Sequence, residues 1–204
     1  MLIESAQMVT DISQLTGVWT RRSIEFPDGT RDETTRVWWV QGLPDFADLR
    51  IPEGRPSFEG VKGLEDCDEF QRKWLATQQG FAGTLVRQEE AWRWIREIDY
   101  QPPTGKRDIG TLRFFDAGGK TMIEDGVDER YTEVWERITE DGPSLVRRAP
   151  GAMLVAAGGH FILTVGTEPG VLEISHGLCR GDSSQWRITD STHPWREGTL
   201  LKGS

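Results

Sequence analysis

Glycine-bearing turn pairs punctuate this chain at short intervals, and they constrain its fold more than any other feature. Asp28-Gly29, Gly118-Gly119, Asp125-Gly126, Asp141-Gly142 and Gly158-Gly159 separate runs rich in β-branched and aromatic residues. Such pairs supply the positive φ angles of tight hairpins, so each predicts that the flanking runs are antiparallel neighbours. Strands are expected near 18–26, 34–41, 46–51, 84–88, 92–100, 111–116, 121–124, 131–138, 144–147, 152–156, 161–165, 171–176 and 185–189. So many strands without a protective device at each edge favour closure, because a closed sheet has no edge. The expectation is an all-β chain with one or two short helices, forming a single antiparallel β-barrel over residues 1–204, with a two-sheet sandwich as the alternative. One stretch, 64–79, breaks the rhythm. There Cys67, Phe70, Trp74 and Leu75 recur at spacings of three and four, and Asp66, Asp68 and Glu69 load the start, which predicts a helix covering an end or flank of the barrel.

Composition narrows the partners. The 204 residues suit one domain, and nine tryptophans within a 36% hydrophobic content supply enough apolar surface for a core. A net charge of −9 repels nucleic-acid backbones and anionic lipid surfaces, so neither is an expected partner. The Arg147-Arg148 pair is too short to reverse that and reads as a solvated strand end. The first residues lack a basic segment followed by an apolar one, and no run approaches the ~18 apolar residues of a membrane span, so a cytoplasmic monomer or homodimer is expected. Cys67 and Cys179 form neither a metal knuckle nor a disulfide framework and are expected to be reduced.

The segment Asp11-Ile12-Ser13-Gln14-Leu15-Thr16-Gly17-Val18-Trp19 resembles the opening of lipocalin-like (calycin) proteins, in which a short helical turn leads into Gly-x-Trp at the first strand. The resemblance implies a barrel with an interior cavity, closed at one end by Trp19, with an arginine from a late strand packed over the indole. Arg187 is the candidate for that arginine. Tyr131-Thr132-Glu133-Val134-Trp135 is similar to a late pattern in a fungal member of the family. The absence of a leader, a disulfide and the second characteristic motif sets the chain apart from secreted lipocalins and suggests an intracellular branch. The family fixes no ligand, since its members include carriers, haem proteins and occasional enzymes.

Strand alternation groups side chains by face, because residues i and i+2 point the same way. Trp19, Arg21, Ser23 and Glu25 share one face; Trp92, Trp94, Arg96 and Tyr100 a second; Tyr131, Glu133, Trp135 and Arg137 a third. These rows put tryptophan and arginine on the same side, which fits either an interior with polar handles or an amphipathic outer face. If they turn inward, Trp19, Arg21, Trp39, Trp92, Trp94, Arg96, Trp135 and Arg137 are the candidate ligand-binding residues, and Glu133 is expected to meet Arg21, Arg96 or Arg137.

Candidates for chemistry are fewer. Glu133, Tyr131 and His160 are the residues expected to move protons if the barrel holds an acid/base site. A three-residue hairpin loop at 167–169 would pair 162 with 174 and 160 with 176, setting His160 directly opposite His176. A zinc site would also require His193, and two polar rim residues are the expectation, with no metal or cofactor. Neither cysteine nor any serine sits in an activating glycine elbow, and Gly105-Lys106 and Gly119-Lys120-Thr121 lack the spacing of a phosphate loop. The leading expectation is a binding protein for a small hydrophobic or aromatic molecule, best one bearing a carboxylate. A cofactor-independent isomerase, dehydratase or cyclase is the second, and a protein–protein interaction module the third.

Overall fold

The computed structural model describes residues 7–139, 144–166, 172–179 and 185–201. The first half of the chain alternates strands with tight turns: β1 Gln7–Met8, β2 Gly17–Glu25, β3 Arg31–Asp32, β4 Arg36–Gln41, β5 Asp45–Ile51, β6 Gln79–Gln88, β7 Ala91–Asp99, β8 Asp108–Phe114, β9 Thr121–Gly126 and β10 Thr132–Thr139. The remainder supplies β11 Leu145–Ala149, β12 Ala152–Ala157, β13 His160–Val165, β14 Glu173–Leu178 and β15 Arg187–Ser191. Every strand expected from sequence has a counterpart, and two short ribbons, β1 and β3, join the edges of β8 and β2.

Eight strands close into an antiparallel barrel in the order β2-β4-β5-β6-β7-β8-β9-β10, with β10 returning to β2. The strands after residue 144 do not enter it. They form a separate five-stranded meander, β11-β12-β13-β14-β15, laid against the outside of β4 and β5. The physical basis is visible in the alternation of those two barrel strands. Val37 and Trp39 of β4 and Phe46 of β5 point into the barrel, while Val40, Ala47, Leu49 and Ile51 join Met153, Val155, Ile162 and Ile174 of the outer sheet in a second core. Charged clasps reinforce the seam: Arg148 pairs with Asp45 at 2.7 Å and Glu97 at 2.6 Å, and Arg36 with Asp190 at 2.9 Å. Arg148 is therefore no free strand end but a tie between the sheets.

The helix is shorter than its periodicity suggests. Leu64–Asp66 is a single 3-10 turn, and α1 spans Glu69–Leu75 only. Asp68 and Gln71 form a reciprocal capping box that sets the start at residue 69, and Gln79 already belongs to β6. Trp74 and Leu75 pack into the seam between barrel and outer sheet, whereas Phe70 is 66% exposed. One turn assignment also changes. Asp125-Gly126 closes β9 as strand, with the hairpin following it, because Gly126 is paired with Gly110; Asp141-Gly142 lies outside the described residues. Gly158-Gly159, with φ of 53° and 79°, is the tight hairpin expected between β12 and β13. Among the described residues, no helix is long and apolar enough to cross a membrane.

Candidate functional site

The closed end is built first by the chain. Residues Ile12–Leu15 form a 3-10 turn capped by Asp11 and Gln14, and the Trp19 indole donates to the Leu15 carbonyl at 2.8 Å. Trp19 stacks near Trp39 and Phe114, with ring centroids 6.1 and 6.4 Å away. The arginine over the indole is Arg137 of β10, its guanidinium carbon 4.3 Å from the ring. It also donates to the carbonyls of Gly119, Thr16 and Gln14. Arg187 instead lies in the outer sheet, exposed and bonded to the Gly198 carbonyl. The expected pairing fails because strands after 144 leave the barrel, so its last strand is the one carrying Arg137. Trp92, whose indole donates to Val9 at 3.2 Å, belongs to this same basal core.

Above the base the barrel is hollow. A cavity of about 380 Å³ is walled by Trp39, Phe46, Phe81, Trp94 and Trp135 and extends to a rim carrying Phe26, Lys106, Arg107 and Glu129. Of the residues expected from sequence, Trp39, Trp94, Arg96, Tyr131, Glu133 and Trp135 line it; Trp19, Trp92 and Arg137 close the base instead, and His160 is outside the barrel. Arg21 sits behind the lining, its side chain 6% exposed, bridging Glu133 at 2.8 Å and Asp32 at 3.0 Å.

Two bulges decide which residues these are. In β2 the register slips opposite Val134 and Trp135, so Ile24 and Phe26 turn inward and Ser23 and Glu25 turn out. In β7 the slip opposite Ala82 and Gly83 makes Glu97 an extra residue; Asp99 then faces the cavity, and Tyr100 faces the helix, donating to the Leu75 carbonyl at 3.2 Å. Ser23, Glu25 and Tyr100 thus fall away from the rows in which strict alternation places them. The row Tyr131, Glu133, Trp135, Arg137 stays on the inner face throughout.

The polar lining is dominated by internal ion pairs. Asp48 holds Arg50 at 2.9 Å, and Arg50 reaches Glu133 at 3.5 Å. Arg96 is held by Asp108 at 2.6 Å and Asp99 at 3.2 Å, and lies 3.6 Å over the Phe81 ring. The remaining carboxyl, Glu124 of β9, has no salt-bridge partner among the described residues. Its oxygens accept from the Tyr131 hydroxyl at 2.7 Å and the Trp135 indole at 3.1 Å. Burial, together with the nearby Glu133 and Asp108 charges, pushes the Glu124 pKa well above the usual carboxylate range. Burial raises the Tyr131 phenol as well, with Glu124 the next cause. Asp48, Arg50 and Glu124 were not among the expected site residues. Phe46, Asp48 and Arg50 show the same mixed i, i+2 pattern as the other rows, and Glu124 is the direct register partner of Glu133.

His160 and His176 do meet, but in the outer sheet and in another register. His160 pairs with Leu178 and Ile162 with His176, so the two imidazoles are diagonal rather than opposed; residues 167–169 lie outside the described residues. Their Nδ1 and Nε2 atoms are 2.9 Å apart. His176 stacks on Trp38 of the barrel at 4.1 Å, and its Nδ1 bonds to Thr189 at 2.9 Å with Asp190 at 3.5 Å. Burial, then the neighbouring imidazole, brings His160 down to about 4. His193 stacks on Trp195 instead, and among the described residues no group of three or more His, Cys, Asp or Glu is arranged to hold a metal.

No protein-family model and no curated protein sequence matches the chain. In three dimensions it is similar to the crystal structure of an uncharacterized protein, YLR301w, from Saccharomyces cerevisiae: the TM-score is 0.54 at 14% identity, covering 85% of this chain and 84% of that one. At that identity the likeness extends to the fold alone.

Proposed function

We propose that the chain binds a small molecule inside the barrel. The observation that carries the proposal is the cavity of about 380 Å³ with tryptophan walls and buried polar groups at one end of a closed sheet. A cavity of this size with indole walls suits a small molecule, whose flat faces would pack against Trp39, Trp94 and Trp135. A flat, partly apolar body fits the walls. A carboxylate-bearing ligand, the sequence-based expectation, fits less well, because Arg21, Arg50 and Arg96 are each already engaged by internal carboxylates. The test is a thermal-shift and calorimetric screen of flat aromatic compounds against the protein and a cavity-filling variant, Ile24→Trp, at a lining position. Binding by the parent and its loss in a folded Ile24→Trp are expected. Equal affinity in both would place the site elsewhere, and silence across the screen would overturn the proposal.

A further inference from the structure

We infer that the occupant of the cavity is an organic cation, its positive group seated between the facing carboxyls of Glu124 and Glu133 and its flat body against the tryptophans. The inference rests on the small-molecule proposal above and deepens it. Glu124 and Glu133 are directly opposed across β9 and β10, and both line the cavity. Like charges opposite one another on a sheet are destabilising unless something positive intervenes. For Glu133 the protein supplies part of the answer: Arg21 and Arg50 both approach Oε1, and Oε2 carries no hydrogen bond among the described residues. For Glu124 it supplies only two neutral donors, although the residue is 4% exposed.

The balance of the whole lining points the same way. Six carboxyl groups (Asp48, Asp99, Asp108, Glu124, Glu129 and Glu133) face four cations (Arg50, Arg96, Lys106 and Arg107). Indole faces attract cations, so Trp39, Trp94 and Trp135 add to the preference instead of opposing it. A bare metal ion would use little of the volume and none of the aromatic wall.

Burial and the facing Glu133 and Asp108 charges favour the protonated form of Glu124 wherever no cation is near it. The groups facing that carboxyl are Glu133 and Tyr131 from β10, Asp108 from β8 and Arg50 from β5. Docking of a cation supplies the missing charge, Glu124 ionises, and its proton passes to water: cation plus neutral Glu124 becomes cation plus carboxylate plus one released proton. Binding is therefore coupled to proton release and strengthens as the pH rises toward neutrality.

Three probes of one shape separate these ideas by isothermal titration calorimetry at pH 7: tryptamine, the neutral tryptophol and the anionic indole-3-acetate. Tryptamine is expected to bind at least about tenfold tighter than tryptophol, with indole-3-acetate weakest. Repeating the tryptamine titration in buffers of different ionisation enthalpy is expected to show proton release. Glu124→Gln, which keeps the shape of the side chain, should abolish that release and shrink the tryptamine preference to within about threefold. Tighter or equal binding of tryptophol or indole-3-acetate would overturn the cation assignment while leaving the cavity proposal standing, and tryptamine binding without proton release would overturn the coupling to Glu124. If none of the three binds, the cation assignment falls, and the broader screen with Ile24→Trp decides the cavity itself. The wild-type proton count keeps the inference testable should Glu124→Gln fold poorly.

Discussion

Replacing Arg137 by methionine isolates what holds the closed end of the barrel together. Methionine keeps most of the stem's packing, so the loss falls on the polar contacts of the guanidinium, among them the cation–π contact at 4.3 Å from Trp19 and the donated bonds to Gly119, Thr16 and Gln14. The first contributes ~1 kcal/mol at a half-buried site. A hydrogen bond from a charged donor contributes ~1.5–3 kcal/mol when nothing replaces it, but at this half-buried closed end water recovers part of each. The net loss is then ~2–4 kcal/mol. With a urea dependence of ~2–3 kcal/mol/M the unfolding midpoint should fall by ~1–2 M, and Tm by ~5–15 °C. Tryptophan fluorescence follows the transition. Arg137→Lys, a point charge lacking the planar fork, should recover less than half of the loss. Arg187→Met, at an exposed site, should cost less than ~0.5 kcal/mol. A methionine variant within ~0.5 kcal/mol of the parent, or an Arg187 variant costlier than the Arg137 one, would refute the assignment of the plug.

Two other perturbations reach different parts of the fold. His160 is held near 4 in the folded chain, below the ~6.5 of an unfolded histidine, so as the pH falls through that window the unfolded state takes up protons first and stability declines. Allowing for its solvent-facing edge, the decline from His160 is ~1–2 kcal/mol, and His160→Gln should flatten a urea-midpoint profile between pH 7 and 4.5; parallel profiles would exclude the pair as its source. Gly83→Ala would bring a Cβ to 1.9 Å from the Ile95 carbonyl oxygen at the β7 bulge, a backbone clash that should cost at least ~2 kcal/mol in thermal melts. A change below ~0.5 kcal/mol would contradict the close crossing there.

The turns at Asp28-Gly29, Gly118-Gly119 and Gly158-Gly159 and the strand runs are legible because hairpin chemistry is local, and the tryptophan–arginine rows because alternation is. What failed was non-local. Nothing in residues 145–191 distinguishes a strand that closes a barrel from one that lies outside it, since both alternate, and so a late-strand arginine reads as Arg187. The bulged residues Arg22 and Glu97 and their immediate neighbours in the strand include no glycine or proline, and each bulge reverses every later side chain, which is why Ile24, Phe26 and Asp99 line the cavity unannounced. Glu124 was hidden by taking Asp125-Gly126 for a turn. Once β9 extends through Gly126, its pairing with β10 sets Glu124 opposite Glu133. Asp48 and Arg50 were within reach, because Phe46, Asp48 and Arg50 repeat at the spacing that drew attention to the other rows.

Strands β4 and β5 have no idle face: one side meets the cavity and the other carries the outer sheet. By contrast, among the described residues the outward side chains of β8 to β10 include the solvent-facing Glu136 and Ile138, and the outer sheet packs mainly on β4 and β5. Drift in sequence on the first wall disturbs two packed layers at once, whereas on the second wall it disturbs one. Over evolutionary time the cavity's selectivity would accordingly be rewritten from the Glu124–Glu133 side, with the Trp39–Asp48 side acting as the fixed half of the mould.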